Sequence, residues 1–176
     1  MQRKVLRQNF FNRDTKTVAK ELLGKFLVRS IHGKQVAAMI IETEAYDGPH
    51  DLASHASKGL AARTQVMFGH PGHFYVYLIY GMHEMLNIVT REHGYPGAVL
   101  IRGIATQTEK LHGPGKVTKF MKINRALNGK KAVKPTGLWV EDRGTIPTKI
   151  KKLSRVGIAY AGPIWANKKL RFIMEA

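Results

Sequence analysis

Four of the chain's twelve acidic side chains fall close together, at Glu42, Glu44, Asp47 and Asp51. Each would repel a polyanion, so their gathering in a chain of net charge +17 needs a reason. Side chains on a strand repeat every two residues, which puts Glu42 and Glu44 on one face. Two carboxylates so placed can serve as the acid and base of a glycosidase. They can equally divide into one catalytic and one structural group, or merely balance charge where a strand enters a turn. A second group is aromatic, Phe74-Tyr75-Val76-Tyr77-Leu78-Ile79-Tyr80-Gly81-Met82. Tyr75 and Tyr77 share a strand face, the usual setting of core aromatics. Tyr80 and Met82 flank Gly81 at a hairpin tip, either as ordinary surface or as a wedge able to enter a base stack from the minor groove. The third group is Gly113-Pro114-Gly115-Lys116 at a helix start, where free N–H groups and a nearby ammonium suit a phosphate.

Other chemistries find little support. There is no cysteine, so thiol nucleophiles, zinc-thiolate sites and iron–sulfur clusters are excluded. The eight histidines lie between His32 and His112, and the Pro-Gly inside His70-Pro71-Gly72-His73 is not the one-face helical spacing of zinc enzymes. No GxSxG, GxGxxG or Walker sequence occurs. No metal and no cofactor is expected.

The elements that must position these residues form a mixed set. Lys16–Leu23 reads as a short helix, with Asp14 as N-cap and Gly24 as its stop. Lys25–Ile31 and Gln35–Ala45 read as strands joined at His32-Gly33-Lys34. Phe74–Ile79, Leu86–Thr90 and Gly97–Ile104 read as three more. A helix opens at Pro114 and keeps an apolar stripe, Val117, Phe120, Met121 and Leu127, until Gly129. The lysine-rich stretch 129–153 reads as surface excursions around a strand-like Gly137–Glu141. Arg155–Ile173 reads as two strand-like runs around Gly162-Pro163. Strands and helices alternate without regular βαβ units, which predicts an α+β fold in one domain, residues 1–176.

Composition narrows the partner. Twenty-nine Lys and Arg against twelve Asp and Glu are unevenly spread, with most of the excess after residue 109. A basic surface is sometimes only that, but nucleic acid is the favoured reading. Anionic membrane is not, for want of a basic amphipathic helix with a clean apolar face. No apolar run reaches the ~20 residues that span a bilayer. The basic run Met1–Arg7 has no apolar stretch behind it, which argues against a signal peptide and for a reducing cytoplasm.

Read together, Ile41-Glu42-Thr43-Glu44-Ala45-Tyr46, Gly48-Pro49, His55, Met67-Phe68 and Tyr75-Val76-Tyr77 to Tyr80-Gly81-Met82 resemble the methylpurine (alkyladenine, 3-methyladenine) DNA glycosylases. Asn87, Arg102, Gly113–Lys116, Arg155-Val156-Gly157 and Leu170-Arg171-Phe172 extend the resemblance from about Phe10 to Phe172. It implies a compact α+β domain with a curved, mainly antiparallel sheet, flanking helices and a projecting hairpin that inserts into DNA. It implies that Glu44 activates water, with Arg102 and the backbone carbonyl of Val156 holding that water. Tyr46, His55 and Tyr77 line the pocket around a flipped base, and Asn87 excludes guanine by crowding its amine. Tyr80, with Met82 beside it, fills the gap in the duplex, while Gly115, Lys116 and Arg63 take phosphates. Glu42 is then structural. The implied protein is a cytoplasmic, nucleoid-associated monomer acting on duplex DNA, with no membrane partner.

No lysine lies between Lys34 and Lys58 and none matches a catalytic position, so a Schiff-base lyase step is not expected. Two segments depart from the family pattern. Ala61-Ala62-Arg63-Thr64 stands where a Thr-Pro-Arg-Asn-like run is usual, and Arg91–Pro96 is longer than in some relatives. Two other readings fit part of the chain. A non-catalytic nucleic-acid module explains the charge and the tyrosines but not the acids. A carbohydrate glycosidase built on Glu42 and Glu44 explains the acids but not the basic half.

Overall fold

The computed structural model describes residues 3–175. Met1 and Gln2, part of the run read against a signal peptide, and Ala176 lie outside the described residues. In chain order the elements are β1 (Lys4–Val5), α1 (Gln8–Phe11), α2 (Thr15–Glu21), β2 (Phe26–Ile31), β3 (Lys34–Asp47), β4 (Phe74–Ile79), β5 (His83–Thr90), β6 (Gly97–Ala105), β7 (Lys110–His112), α3 (Pro114–Phe120), β8 (Leu138–Asp142), β9 (Lys149–Leu153), α4 (Gly162–Asn167) and β10 (Arg171–Glu175). Short 3₁₀ turns at His55–Lys58, Gln65–Phe68, Arg125–Leu127, Lys134–Thr136 and Ala159–Ala161 punctuate the loops. The strands form one antiparallel sheet in the order β1-β8-β2-β3-β6-β5-β4, with β10 bridging β3 to β9 and β7 on β6. This is the α+β, mainly antiparallel domain expected. Among the described residues no helix is long and apolar enough to cross a membrane.

The fourteen-residue β3 is the axis of the sheet. Its first half pairs with β2 and its second with β10, while β6 runs along its other edge. Register shifts between Ile40 and Thr43 mark a bulge, which bends the strand where its carboxylates begin. One face of the sheet packs on α2 and α3 through Leu22, Leu23, Ile40, Leu86, Ile101 and Val117, all fully buried. The α2 helix begins where Asp14 accepts from the Thr17 N–H at 2.9 Å, as the sequence predicts.

Cross-strand partners put the chemistry on the opposite face. Tyr75 on β4 pairs with Asn87 on β5, Asn87 with Leu100 on β6, Leu100 with Glu44 on β3, and Glu44 with Arg171 on β10. Residues directly opposite in an antiparallel ladder point to the same side, so this row is one line of side chains across five strands. Two residues along, Tyr77, Arg102 and Tyr46 join the same face.

Three sequence expectations need correction. The helix from Pro114 stops at Phe120 instead of running to Gly129. Lys122 there is left-handed (φ 49°), and the Ile123 N–H turns back to the Thr118 carbonyl at 2.9 Å. Met121 and Leu127 still reach the core, the second from a separate 3₁₀ turn. Gly162-Pro163 does not separate two strands; it opens α4, because a proline at the first helical position gives up an N–H that has no partner there. Lys149–Leu153 is the edge strand β9, and its exposed lysines keep that edge from pairing further.

Candidate active site

Glu44 is wholly buried on β3 and each of its oxygens is engaged. The Val156 N–H donates to Oε1 at 3.0 Å and the Tyr46 hydroxyl donates to Oε2 at 2.9 Å. The Arg102 Nε lies 3.6 Å from Oε1. Burial raises the Glu44 pKa, while Arg102, the Val156 N–H, the Tyr46 hydroxyl and Arg155 pull it back down. The outcome is a carboxylate held more basic than a surface glutamate.

Glu42, on the same face, has other partners. Its Oε1 lies 2.9 Å from the Arg102 Nε, an ion pair without hydrogen-bond alignment, and accepts from Arg171 Nη1 at 3.2 Å. Its Oε2 accepts from His112 Nδ1 at 3.0 Å. Both carboxylates thus converge on Arg102, and Glu42 also accepts from Arg171. The Gly113 N–H donates to the Arg102 carbonyl at 2.9 Å, tying the start of α3 to this arginine's backbone.

A small cavity opens beside Glu44. Tyr46, Ala53, Ser54, His55, Met67, Tyr75, Tyr77, Asn87 and Tyr160 line it. Glu44 does not itself line the cavity; Tyr46 belongs both to the lining and to the Glu44 hydrogen bond, so its phenol links the two. His55 stands edge-on to Tyr77 at 4.6 Å between ring centroids, and its Nδ1 is 3.0 Å from the Tyr75 hydroxyl. Burial, with Arg63 and Lys58 nearby, lowers the His55 pKa to about 4, so this ring is neutral at neutral pH. Asn87 is buried, its Nδ2 donating to the carbonyls of Tyr75 at 3.2 Å and Met85 at 3.4 Å.

The site depends on two loops that sequence spacing does not connect. Arg155 and Asp51 form an ion pair whose side chains are both fully buried. Arg155 Nη2 donates to Asp51 Oδ1 at 2.8 Å, Nη1 to the Ala45 carbonyl at 2.9 Å, and the guanidinium lies 4.7 Å from the Tyr46 ring centroid. Asp51 also accepts from the Ala53 and Asp47 N–H groups. This pair fixes the loop after β9, and so the Val156 N–H, against β3. Sequence reading placed Asp51 only in an acidic cluster and did not single out Arg155 as a site residue; Tyr160 was missed altogether. A buried pair across a hundred residues leaves no local pattern. The fourth acid, Asp47, accepts from the Thr15 hydroxyl at 2.9 Å and pairs with Lys16 and Arg91.

The remaining expected residues do not line the cavity. Tyr80 and Met82 stand at the β4–β5 tip, 84% and 71% exposed. Tyr80 holds a left-handed φ of 52° beside Gly81, which turns its ring outward. Lys116 is exposed on the first turn of α3, with Gly115 against the His83 ring. Arg63, expected at a phosphate, stands 5.5 Å over the Tyr77 ring. Val156, expected to act through its carbonyl, makes its contact with Glu44 through its N–H. Thr64, the departure from the family run, turns inward and closes its own loop on the Gly59 carbonyl at 2.9 Å. Among the described residues no group of three His, Asp or Glu is arranged to hold a metal ion.

A family model described as methylpurine-DNA glycosylase matches residues 9–176. The chain belongs to that family. A protein of Methanocella arvoryzae is 48% identical over 174 residues, covering 90% of this chain and 86% of its own. One of Legionella pneumophila is 44% identical over 176 residues, covering 98% and 95%, and one of Anaeromyxobacter 43% over 173 residues, covering 97% and 89%. Each carries the provisional name 3-methyladenine DNA glycosylase. Membership sets aside both the carbohydrate glycosidase and the non-catalytic module.

Proposed function

We propose that this protein is a monofunctional DNA glycosylase. It swings alkylated or deaminated purines out of duplex DNA and hydrolyses the N-glycosidic bond with water activated by Glu44, leaving an abasic site. The observation that carries this reading is the buried carboxylate of Glu44, shared between Arg102 and a phenol of an aromatic cavity. Chemistry at C1′ requires the nucleotide out of the stack, at a cost of a few kcal/mol that damaged pairs lower. Tyr80 offsets that cost by filling the gap, with Met82 beside it, while Lys116, the Gly115 N–H and Arg63 engage phosphates. A cationic methylated purine is drawn to the faces of Tyr46 and Tyr77 by about 0.5–2 kcal/mol. His55, neutral, discriminates by hydrogen bonding and Asn87 by steric exclusion.

As the glycosidic bond breaks, its electron pair leaves with the base and the sugar gains oxocarbenium character. Ionised Glu44 stabilises that charge and accepts the proton of the water that adds to C1′. Arg102 keeps Glu44 ionised and orients the water; Glu42 holds Arg102. The enzyme acts as a cytoplasmic monomer on nucleoid DNA.

The test is incubation with duplex DNA carrying hypoxanthine or 3-methyladenine, followed by hot alkali. Strand breaks at the lesion only after alkali are expected. Intact strands with both lesions would overturn the reading, and a borohydride-trapped enzyme–DNA adduct would overturn its monofunctional part.

A further inference from the structure

The cavity beside Glu44 is narrow, with a volume of about 40 Å³. Pockets that enclose small ligands run to about 300–1,000 Å³. A bicyclic purine therefore enters only if a wall moves. Most walls cannot. Tyr46, Tyr75, Tyr77 and Asn87 sit on sheet strands, and His55 is held between two tyrosines.

Tyr160 differs from all of them. It is 70% exposed as a residue and yet lines the cavity, from the short 3₁₀ turn Ala159–Ala161. Its hydroxyl donates to the Ala53 carbonyl at 2.9 Å, crossing the mouth from the loop after β9 to the loop after β3. Behind it Ile158 and Ala161 pack on Ala53 in a small apolar cluster separate from the main core. The loop's other anchors, Arg155 on Asp51 and the Val156 N–H on Glu44, lie before this turn. Tyr46, whose hydroxyl donates to Glu44, packs against this apolar cluster too, so the part that gives with least disturbance of Glu44 is the exposed Tyr160 side chain and its bond to Ala53.

Resting on the proposed glycosylase activity, we infer that Tyr160 is a specificity-determining residue, a hydrogen-bonded wall whose bond to Ala53 sets how large a purine the pocket admits. A compact base such as 3-methyladenine needs a small displacement of this wall. A purine bearing a fused etheno ring needs a larger one and must break the Tyr160–Ala53 bond. One neutral hydrogen bond corresponds to roughly two- to tenfold in an equilibrium, which bounds the penalty on the bulkier base.

The experiment compares single-turnover kcat/KM on duplexes carrying ethenoadenine or 3-methyladenine, for wild type, Tyr160→Phe and Tyr160→Ala, with thermal midpoints beside them. Tyr160→Phe keeps the ring and removes only the bond, so it serves if the alanine variant does not fold. The expected result is a rise of about two- to tenfold in the etheno-to-methyl ratio for Tyr160→Phe, and a larger rise for Tyr160→Ala. A purely structural residue would lower both substrates together. A ratio within twofold of wild type in every variant that folds, or one that falls, overturns the inference. A wild type that releases none of ethenoadenine, 3-methyladenine and hypoxanthine contradicts the glycosylase reading itself; where wild type does not release ethenoadenine, a gain of etheno activity in the variants is the expected result and its absence overturns the inference.

Discussion

The Asp51–Arg155 pair offers a sharp test of how the loops hold the site. Asp51→Asn preserves shape and the acceptor for the Ala53 N–H but removes the charge that faces Arg155. Breaking a buried pair by removing one partner costs about 3–5 kcal/mol, because the surviving charge stays buried. Here the Ala45 carbonyl and the Tyr46 ring still contact the guanidinium, which places the cost near the lower end, about 3 kcal/mol. In a domain this size 1 kcal/mol moves the thermal midpoint by roughly 2–4 °C, so a drop of about 6–12 °C is expected. Activity should fall as well, since the loop carrying the Val156 N–H is no longer pinned. A hydrogen bond to a charged group contributes about 1.5–3 kcal/mol, which corresponds to roughly 10- to 100-fold in kcat. The assay is urea unfolding beside single-turnover base release. Replacing both partners, Asp51→Leu with Arg155→Met, should restore most of the stability without restoring the rate. A single variant unfolding within about 1 kcal/mol of wild type, with kcat unchanged, refutes the reasoning.

Three other outcomes follow from the same geometry. Burial raises the Glu44 pKa, and the ionised form is the active one, so the rate should fall with decreasing pH along a limb centred above the ordinary glutamate value of about 4.3; a limb at or below that value contradicts it. A raised folded-state pKa means that protonation favours the fold, with that contribution lost as pH rises through the folded value, so Glu44→Gln should melt at or above wild type at pH 7; a clearly lower calorimetric midpoint contradicts this. Tyr80→Ser should weaken binding to lesion DNA by roughly 1–3 kcal/mol, as the loss of one stacking contact does; unchanged affinity in a filter-binding titration would remove Tyr80 from the interface.

How much of this was legible in the sequence follows from the period of a strand. Glu42 and Glu44, and likewise Tyr75 and Tyr77, alternate along β3 and β4, so their shared face could be read from spacing alone. Which of the two glutamates does chemistry could not, because it depends on Arg171 and His112, brought to Glu42 by β10 and β7. The Pro114 helix was visible in its start and in its stripe, whereas its early stop depends on the left-handed Lys122, which carries no glycine to announce it. The Arg155–Asp51 pair and the Tyr160–Ala53 bond join residues more than a hundred positions apart. Such contacts are made by tertiary packing, and local patterns are silent about them.

The most direct test of the central claim is Glu44→Gln assayed for both base release and binding on hypoxanthine-containing duplex DNA. With the base removed but the shape kept, release should fall by at least ~10²-fold, while the dissociation constant stays within a few-fold of wild type. Release at a rate near that of wild type would show that another group activates the water.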